Sequence, residues 1–274
     1  MFRALFRRSR PALPANTPHA AVPPGVVAWA VGDIHGRSDL LAPLIAAVCA
    51  DLEASPASRR LFIGLGDYVD KGPDSRGVLD LLTALQARAG IECRVLRGNH
   101  EAFLERFLHE PGVGPGWCDY GGLTALASYG VAPPAFRSDA DGWAQTSADL
   151  GRALPDAHRL FLRNLEPSFA CGDYFFAHAG ARPGVPLDQQ TQDDLMWIRD
   201  DFTRSNAAFE RIVVHGHTPT PALHMDHRRI GLDTGAYATG VLTAMRFEGG
   251  TRRLAQVRKA AGRIVIEHPD LADV

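Results

Sequence analysis

Val26-Val27-Ala28-Trp29-Ala30-Val31 runs directly into Gly32-Asp33-Ile34-His35-Gly36. A short apolar, β-rich run reads as a buried strand, and the glycines after it permit a sharp turn carrying a carboxylate and an imidazole. The pattern recurs down the chain. RLFIGL (60–65) leads into Gly66-Asp67-Tyr68-Val69-Asp70-Lys71-Gly72-Pro73, and CRVLR (93–97) into Gly98-Asn99-His100-Glu101. YFFAH (174–178) runs into His178-Ala179-Gly180, and RIVVH (211–215) into Gly216-His217-Thr218-Pro219. RIGLD (229–233) is a sixth β-rich run.

Helical patterns separate several of these runs. Residues 40–52 are apolar on one face, Asp74 and Ser75 can cap 78–88 before Gly90 stops it, and 101–110 reads as a third helix. Strands alternating with helices predict a layered α/β fold, with central β-sheets flanked by helices. No convincing strand falls between 111 and 167. Its helical pieces, 123–129 and 157–165, predict a mainly helical insertion over the active-site side of the sheet. Residues 1–25 carry Arg3, Arg7, Arg8 and Arg10, then five prolines, and read as a disordered basic tail ahead of one domain over 26–270.

Composition narrows the function classes. The chain has 274 residues with 29 Lys+Arg against 31 Asp+Glu, a formal charge of −2, which offers no basic platform for nucleic acid. No apolar run approaches the ~20 residues needed to span a bilayer. The four cysteines, Cys49, Cys93, Cys118 and Cys171, form no CxxC pair and read as free thiols in a reducing cytoplasm. The 11 histidines stand out, because several fall at the strand ends.

In α/β sheets ligands bind beyond the carboxyl ends of strands, so five such ends can converge on one crevice. Asp33 and His35, two apart in extended chain, point to the same side and can hold one ion. Asp67 can bridge two ions, while Asn99, His178 and His217 add an oxygen and two imidazoles. This mixed N/O set without thiolate suits Mn, Fe, Zn or Co rather than Mg or Ca. Six ligands exceed what one catalytic ion needs, so two ions sharing Asp67 fit better. Two such ions would leave the site positive, attract a phosphate and polarise a water into hydroxide.

The motifs GDIHG, GDYVDKGPDS, LRGNHE, HAG and HGHTP, in this order and spacing, resemble the phosphoprotein phosphatase family of calcineurin-like metallophosphoesterases. The likeness extends to DTGAYATG (233–240) and is strongest with bacterial members. It implies a first metal on Asp33, His35 and Asp67, and a second on Asp67, Asn99, His178 and His217, with manganese the leading candidate. It also implies that His100, oriented by Asp70, protonates the leaving oxygen. Arg97, Arg199 and Tyr237 match phosphate-binding positions. Lys71 stands where the family usually has arginine, which keeps the charge but loses the planar fork. His217 is followed by Thr218, so the second histidine of a GHxH ending is missing, which favours the phosphoprotein phosphatase branch.

The implied activity is metal-dependent hydrolysis of phosphoserine or phosphothreonine in proteins, by in-line attack of metal-bound hydroxide. A symmetrical dinucleoside tetraphosphate hydrolase is the alternative, with Trp117 and Tyr120 as a stacking surface. A third reading, from another class, is a silent phosphoprotein-binding module. His215 reads as support for its neighbours rather than a ligand, and the polar stretch around His224 and His227 as a solvated loop.

Overall fold

The computed structural model describes residues 20–260 and 262–271; the tail before residue 20 lies outside them. Two mixed sheets form the centre. The first has the order β11–β10–β9–β1–β2–β3, with β1 (Val26–Val31), β2 (Arg59–Gly64) and β3 (Glu92–Val95) mutually parallel. The second has the order β4–β5–β6–β8–β7, in which β5 (Tyr174–Ala177), β6 (Ile212–His215) and β8 (Arg229–Gly231) are parallel, while β4 (Ser168–Cys171) and β7 (His224–Met225) pair antiparallel at the two edges.

Side chains alternate across a strand, and β1 uses both faces. Val26, Ala28 and Ala30 point between the sheets, joining Leu61, Ile63, Phe176, Val214 and Phe247 in the inner core. Val27, Trp29 and Val31 point outward, into the core under α1 (Ser38–Ala54) and α2 (Ser75–Gln86). A third cluster, including Phe175, Leu195, Phe202 and Val213, covers the far face of the second sheet. The layers are therefore helix, sheet, sheet, helix.

The stretch 111–167 joins the first helical layer rather than standing apart. Trp117, Leu126, Trp143, Leu150 and Phe161 are buried in the same core as α1, α2 and α3 (Asn99–His109). One of its helices, Ala140–Ala153, is absent from the sequence-based expectation. Its sequence is mostly small and polar, so only Trp143 and Leu150 mark an apolar stripe; Asp139 caps it through Gly142 N at 2.8 Å.

Five strands escape the reading of the sequence: the short edge strands β4 and β7, the latter pairing with β8 in the stretch around His224 that reads as a loop, and β9 (Val241–Glu248), β10 (Thr251–Ala260) and β11 (Arg263–Glu267). β9 pairs antiparallel with β1 in mid-sheet. Buried on both faces, it lacks the alternation that marks a half-exposed strand. The expected boundary at 25 also shifts. Ala20 and Val22 are buried in the inner core; Val22 N donates to Gly249 O and Tyr174 Oη donates to Ala20 O.

Candidate metal centre

β1, β2 and β3 of one sheet and β5 and β6 of the other all end at the same edge of the sandwich. The turns beyond them bring together Asp33, His35, Asp67, Asn99, His100, His178 and His217, every one buried. The backbone is strained here. The non-glycine residues with left-handed φ among the described residues are His35, Asp67, Asp70, Lys71 and His217. Such conformations cost roughly 1–3 kcal/mol each and persist only where the surroundings over-determine them. Glycines give the carboxylates room. A Cβ on Gly216 would lie 2.0 Å from Asp33 Oδ1, and one on Gly98 would lie 2.3 Å from Asp67 Oδ1.

Asp67 sits at the centre. Its Oδ2 lies 3.4 Å from His35 Nε2, and its Oδ1 lies 3.3 Å from His178 Nε2. Its two oxygens thus face two groups, His35–Asp67–His100 and Asp67–His178–His217, each compact enough to hold an ion. Asn99 joins the second through Oδ1, 3.0 Å from His178 Nε2. Asp33 belongs to neither compact group, but both its oxygens accept from His217 N, at 3.1 and 3.0 Å.

The donor chemistry fits a metal. His35 Nδ1 donates to Val69 O at 2.8 Å and His178 Nδ1 to Leu65 O at 2.9 Å. A carbonyl can only accept, so in the neutral rings Nε2 carries a lone pair directed into the site. His178 Nε2 then faces the Asn99 and Asp67 oxygens acceptor to acceptor, an arrangement that a cation resolves. His217 Nε2 is buried without a hydrogen-bond partner. An orphaned ring nitrogen of this kind is costly unless a ligand takes it.

Electrostatics follow from burial and crowding. Burial, then Asp233 and Asp67, push the Asp33 carboxyl well above its usual range. Burial also acts upward on Asp67, but His178, His100 and His35, where they carry a proton, overcome it and hold that carboxyl well below. Burial lowers His35 to about 3 and His217 to about 2, which keeps both imidazoles neutral and able to bind a metal. His100 goes the other way. Burial opposes its charged form, but Asp67 and the hydrogen-bonded Asp70 raise it.

The expected dyad is present: His100 Nδ1 to Asp70 Oδ2 is 2.7 Å. Two residues escape the sequence reading. Trp117, there a stacking candidate, is wholly buried and donates Nε1 to Asp70 Oδ2 at 2.9 Å. Glu101 accepts from the backbone of Asp67, Tyr68, Val69 and Gly98, pinning the turn that carries Asp67. Burial and Asp67 raise its carboxyl to about 7. Its place beside His100 in LRGNHE was the only signal for it.

The phosphate-binding candidates are placed unevenly. Arg199 Nη1 donates to His217 O at 3.3 Å and lines an open cleft of about 410 Å³ with Trp197. Tyr237 has its ring 5.5 Å from that of His35, and Lys71 Nζ lies 4.9 Å from the Tyr237 centroid. Arg97 is turned instead to Glu105. His215 is fully engaged, Nδ1 with Gly216 O and Nε2 with Arg229. A separate cavity of about 480 Å³, between Trp29, α1 and β10, contains none of these groups.

A family profile described as calcineurin-like phosphoesterase matches residues 27–247, the span that contains both sheets' site-bearing strands. The chain belongs to that family. It is a metallophosphoesterase, a hydrolase. It is 39% identical over 228 residues to serine/threonine-protein phosphatase 2 of Escherichia coli K12, covering 78% of this chain and 90% of the relative. It is 27% identical over 241 residues to the asymmetrical bis(5'-nucleosyl)-tetraphosphatase PrpE of Geobacillus thermodenitrificans, covering 79% and 89%. A crystal structure provisionally described as a diadenosine tetraphosphatase superposes with a TM-score of 0.57 at 23% identity, covering 87% of this chain and 97% of that one, a likeness of fold. No helix among the described residues is long and apolar enough to cross a membrane.

Proposed function

We propose that this metallophosphoesterase hydrolyses phosphomonoesters of serine and threonine in proteins, with two divalent transition-metal ions, manganese first among them. The observation that carries the reading is Asp67, one oxygen toward each ligand group, beside the His100–Asp70 dyad. The 39% identity to a serine/threonine-protein phosphatase supports the substrate class.

Asp33, His35 and Asp67 would hold one ion, and Asp67, Asn99, His178 and His217 the other. Such ions supply Lewis acidity to a phosphate oxygen and acidify a water. The protein's own groups do the rest. Arg199 and Lys71 bind phosphate oxygens; Arg97 reaches one only on leaving Glu105. Asp70 holds the His100 ring so that Nε2, with its proton, faces the leaving oxygen. As water attacks phosphorus in line and the ester P–O bond breaks, His100 gives that proton to the departing alkoxide. No phosphoenzyme forms. Hydrolysis of phosphoserine peptides by protein reconstituted with Mn after chelation tests the reading; a rate unchanged by chelation contradicts it.

One observation favours dinucleoside polyphosphates as a second reading. Exposed aromatics flank the centre on both sides, Tyr237 against His35 and Trp197 against His217 at 6.4 Å. Beyond Trp197, Phe103 stacks on exposed Tyr120. Platforms at both ends of a phosphate site suit a molecule with a base at each end. The relatives named for this activity are asymmetrical tetraphosphatases. Turnover of diadenosine tetraphosphate against that of a phosphopeptide separates the two readings.

A further inference from the structure

The two ligand groups around Asp67 differ in what their imidazole lone pairs meet. On one side, His217 Nε2 is buried and meets nothing. On the other, Lys71 Nζ lies 2.9 Å from His35 Nε2. His35 Nδ1 already donates to Val69 O, so Nε2 is the acceptor of the Lys71 proton. A ring nitrogen has one lone pair. It can accept from an ammonium or bind a metal, but not both.

Lys71 is built into this position. Its backbone is left-handed, φ 60°, and its N–H donates to Gly121 O at 3.2 Å, so the root of the side chain is pinned. Its ammonium lies over the Tyr237 ring at 4.9 Å, a cation–π contact that holds it toward His35. Three buried carboxylates, Asp33, Asp67 and Asp233, crowd the same site. A cation on a flexible four-carbon stem offsets part of their repulsion, and the stem lets it leave.

We infer that Lys71 is the internal counter-ion of the metal-free site and makes the two metal positions unequal. The position formed by Asn99, His178 and His217 fills first. The His35 position fills only as the Lys71 ammonium withdraws from His35 Nε2, which frees it for a phosphate oxygen. This inference rests on the two-ion reading of the site and concerns the order in which that site loads.

Mn(II) titrated into the chelated full-length protein, followed by calorimetry and by metal analysis after gel filtration, tests it. The wild type is expected to show two classes of site. Lys71→Met, which keeps the stem and removes the charge, should tighten the weaker class by about tenfold or more and leave the tighter class unchanged. Lys71→Arg, which keeps the charge, should retain the weak class. The metal-free Lys71→Met protein should also melt at a lower temperature than the metal-free wild type. Two equal sites in the wild type, or a weak class indifferent to Lys71→Met, overturns the inference while the two-ion reading stands. A wild type that binds one ion or none overturns both. Should Lys71→Met not fold, Lys71→Gln carries the same expectation.

Discussion

His100 Nδ1 and Asp70 Oδ2 are 2.7 Å apart, both side chains buried, with Trp117 Nε1 donating to the same carboxylate oxygen. The contact fixes the imidazole's tautomer and plane and leaves Nε2 as the only nitrogen free to exchange a proton with substrate. Much of the proposed chemistry depends on this pair.

Replacing the proposed acid is the first test. His100→Asn should lower kcat on phosphoserine peptides by about 10²–10⁴-fold, the usual range for general acid catalysis. Nitrophenyl phosphate should lose less, because its leaving group needs little protonation. Equal losses on both substrates would point to a role other than acid.

The pH profile gives the second. Asp67 and Asp70 raise His100 against the effect of burial, so it keeps its proton to higher pH than an ordinary histidine. Activity that needs the protonated form should fall on the alkaline side. In Asp70→Asn the carboxylate's support is gone, and that limb should move to lower pH. An alkaline limb identical in both proteins would dissociate it from His100.

A third prediction concerns the close approach at Gly216. A methyl there would lie 2.0 Å from Asp33 Oδ1, and Asp33 is the group that accepts from His217 N. Gly216→Ala should push both residues out of place and weaken metal binding by roughly 10–100-fold, as loss of an orienting contact does. Metal content of the purified variant, read beside an unchanged far-ultraviolet circular dichroism spectrum, measures it.

Stability away from the site offers a fourth. Asp226 Oδ1 accepts from the backbone of Arg228 and Arg229 at 2.7 and 2.8 Å. Burial works against its charge, but these hydrogen bonds, with His224 and Arg228, lower it to about 2. A depressed carboxyl stabilises the fold above its unfolded pKa and loses that contribution as pH falls through the folded one. Asp226→Asn should therefore cost roughly 1 kcal/mol at pH 7, after allowance for solvent screening. The cost should shrink toward pH 2, as read by denaturant unfolding.

The residues of the centre were legible because each follows a strand and keeps company with glycine, so local pattern and position in the sheet agree. Asp33, His35, Asp67, Asn99, His100, His178 and His217 do meet at one edge of the sandwich. What stayed hidden depends on long-range contact. Glu101 looks like any helix-start acid until four backbone N–H groups are found on it, and Trp117 lies 47 positions from the carboxylate it serves. β9 reaches the middle of the first sheet from the far end of the chain, and being buried on both faces it shows no alternation. Arg97 was assigned through the resemblance carried by LRGNHE, and nothing local reveals that Glu105, two turns along α3, captures it.

In the proposed mechanism Asp67 joins two ions in one phosphoesterase centre. Electron paramagnetic resonance of the chelated protein reconstituted with Mn(II), recorded while nitrophenyl phosphate turnover is followed, addresses it most directly. An exchange-coupled dimanganese spectrum that grows in with activity and disappears in Asp67→Asn is expected. Full activity accompanied only by isolated, uncoupled Mn(II) signals would contradict it.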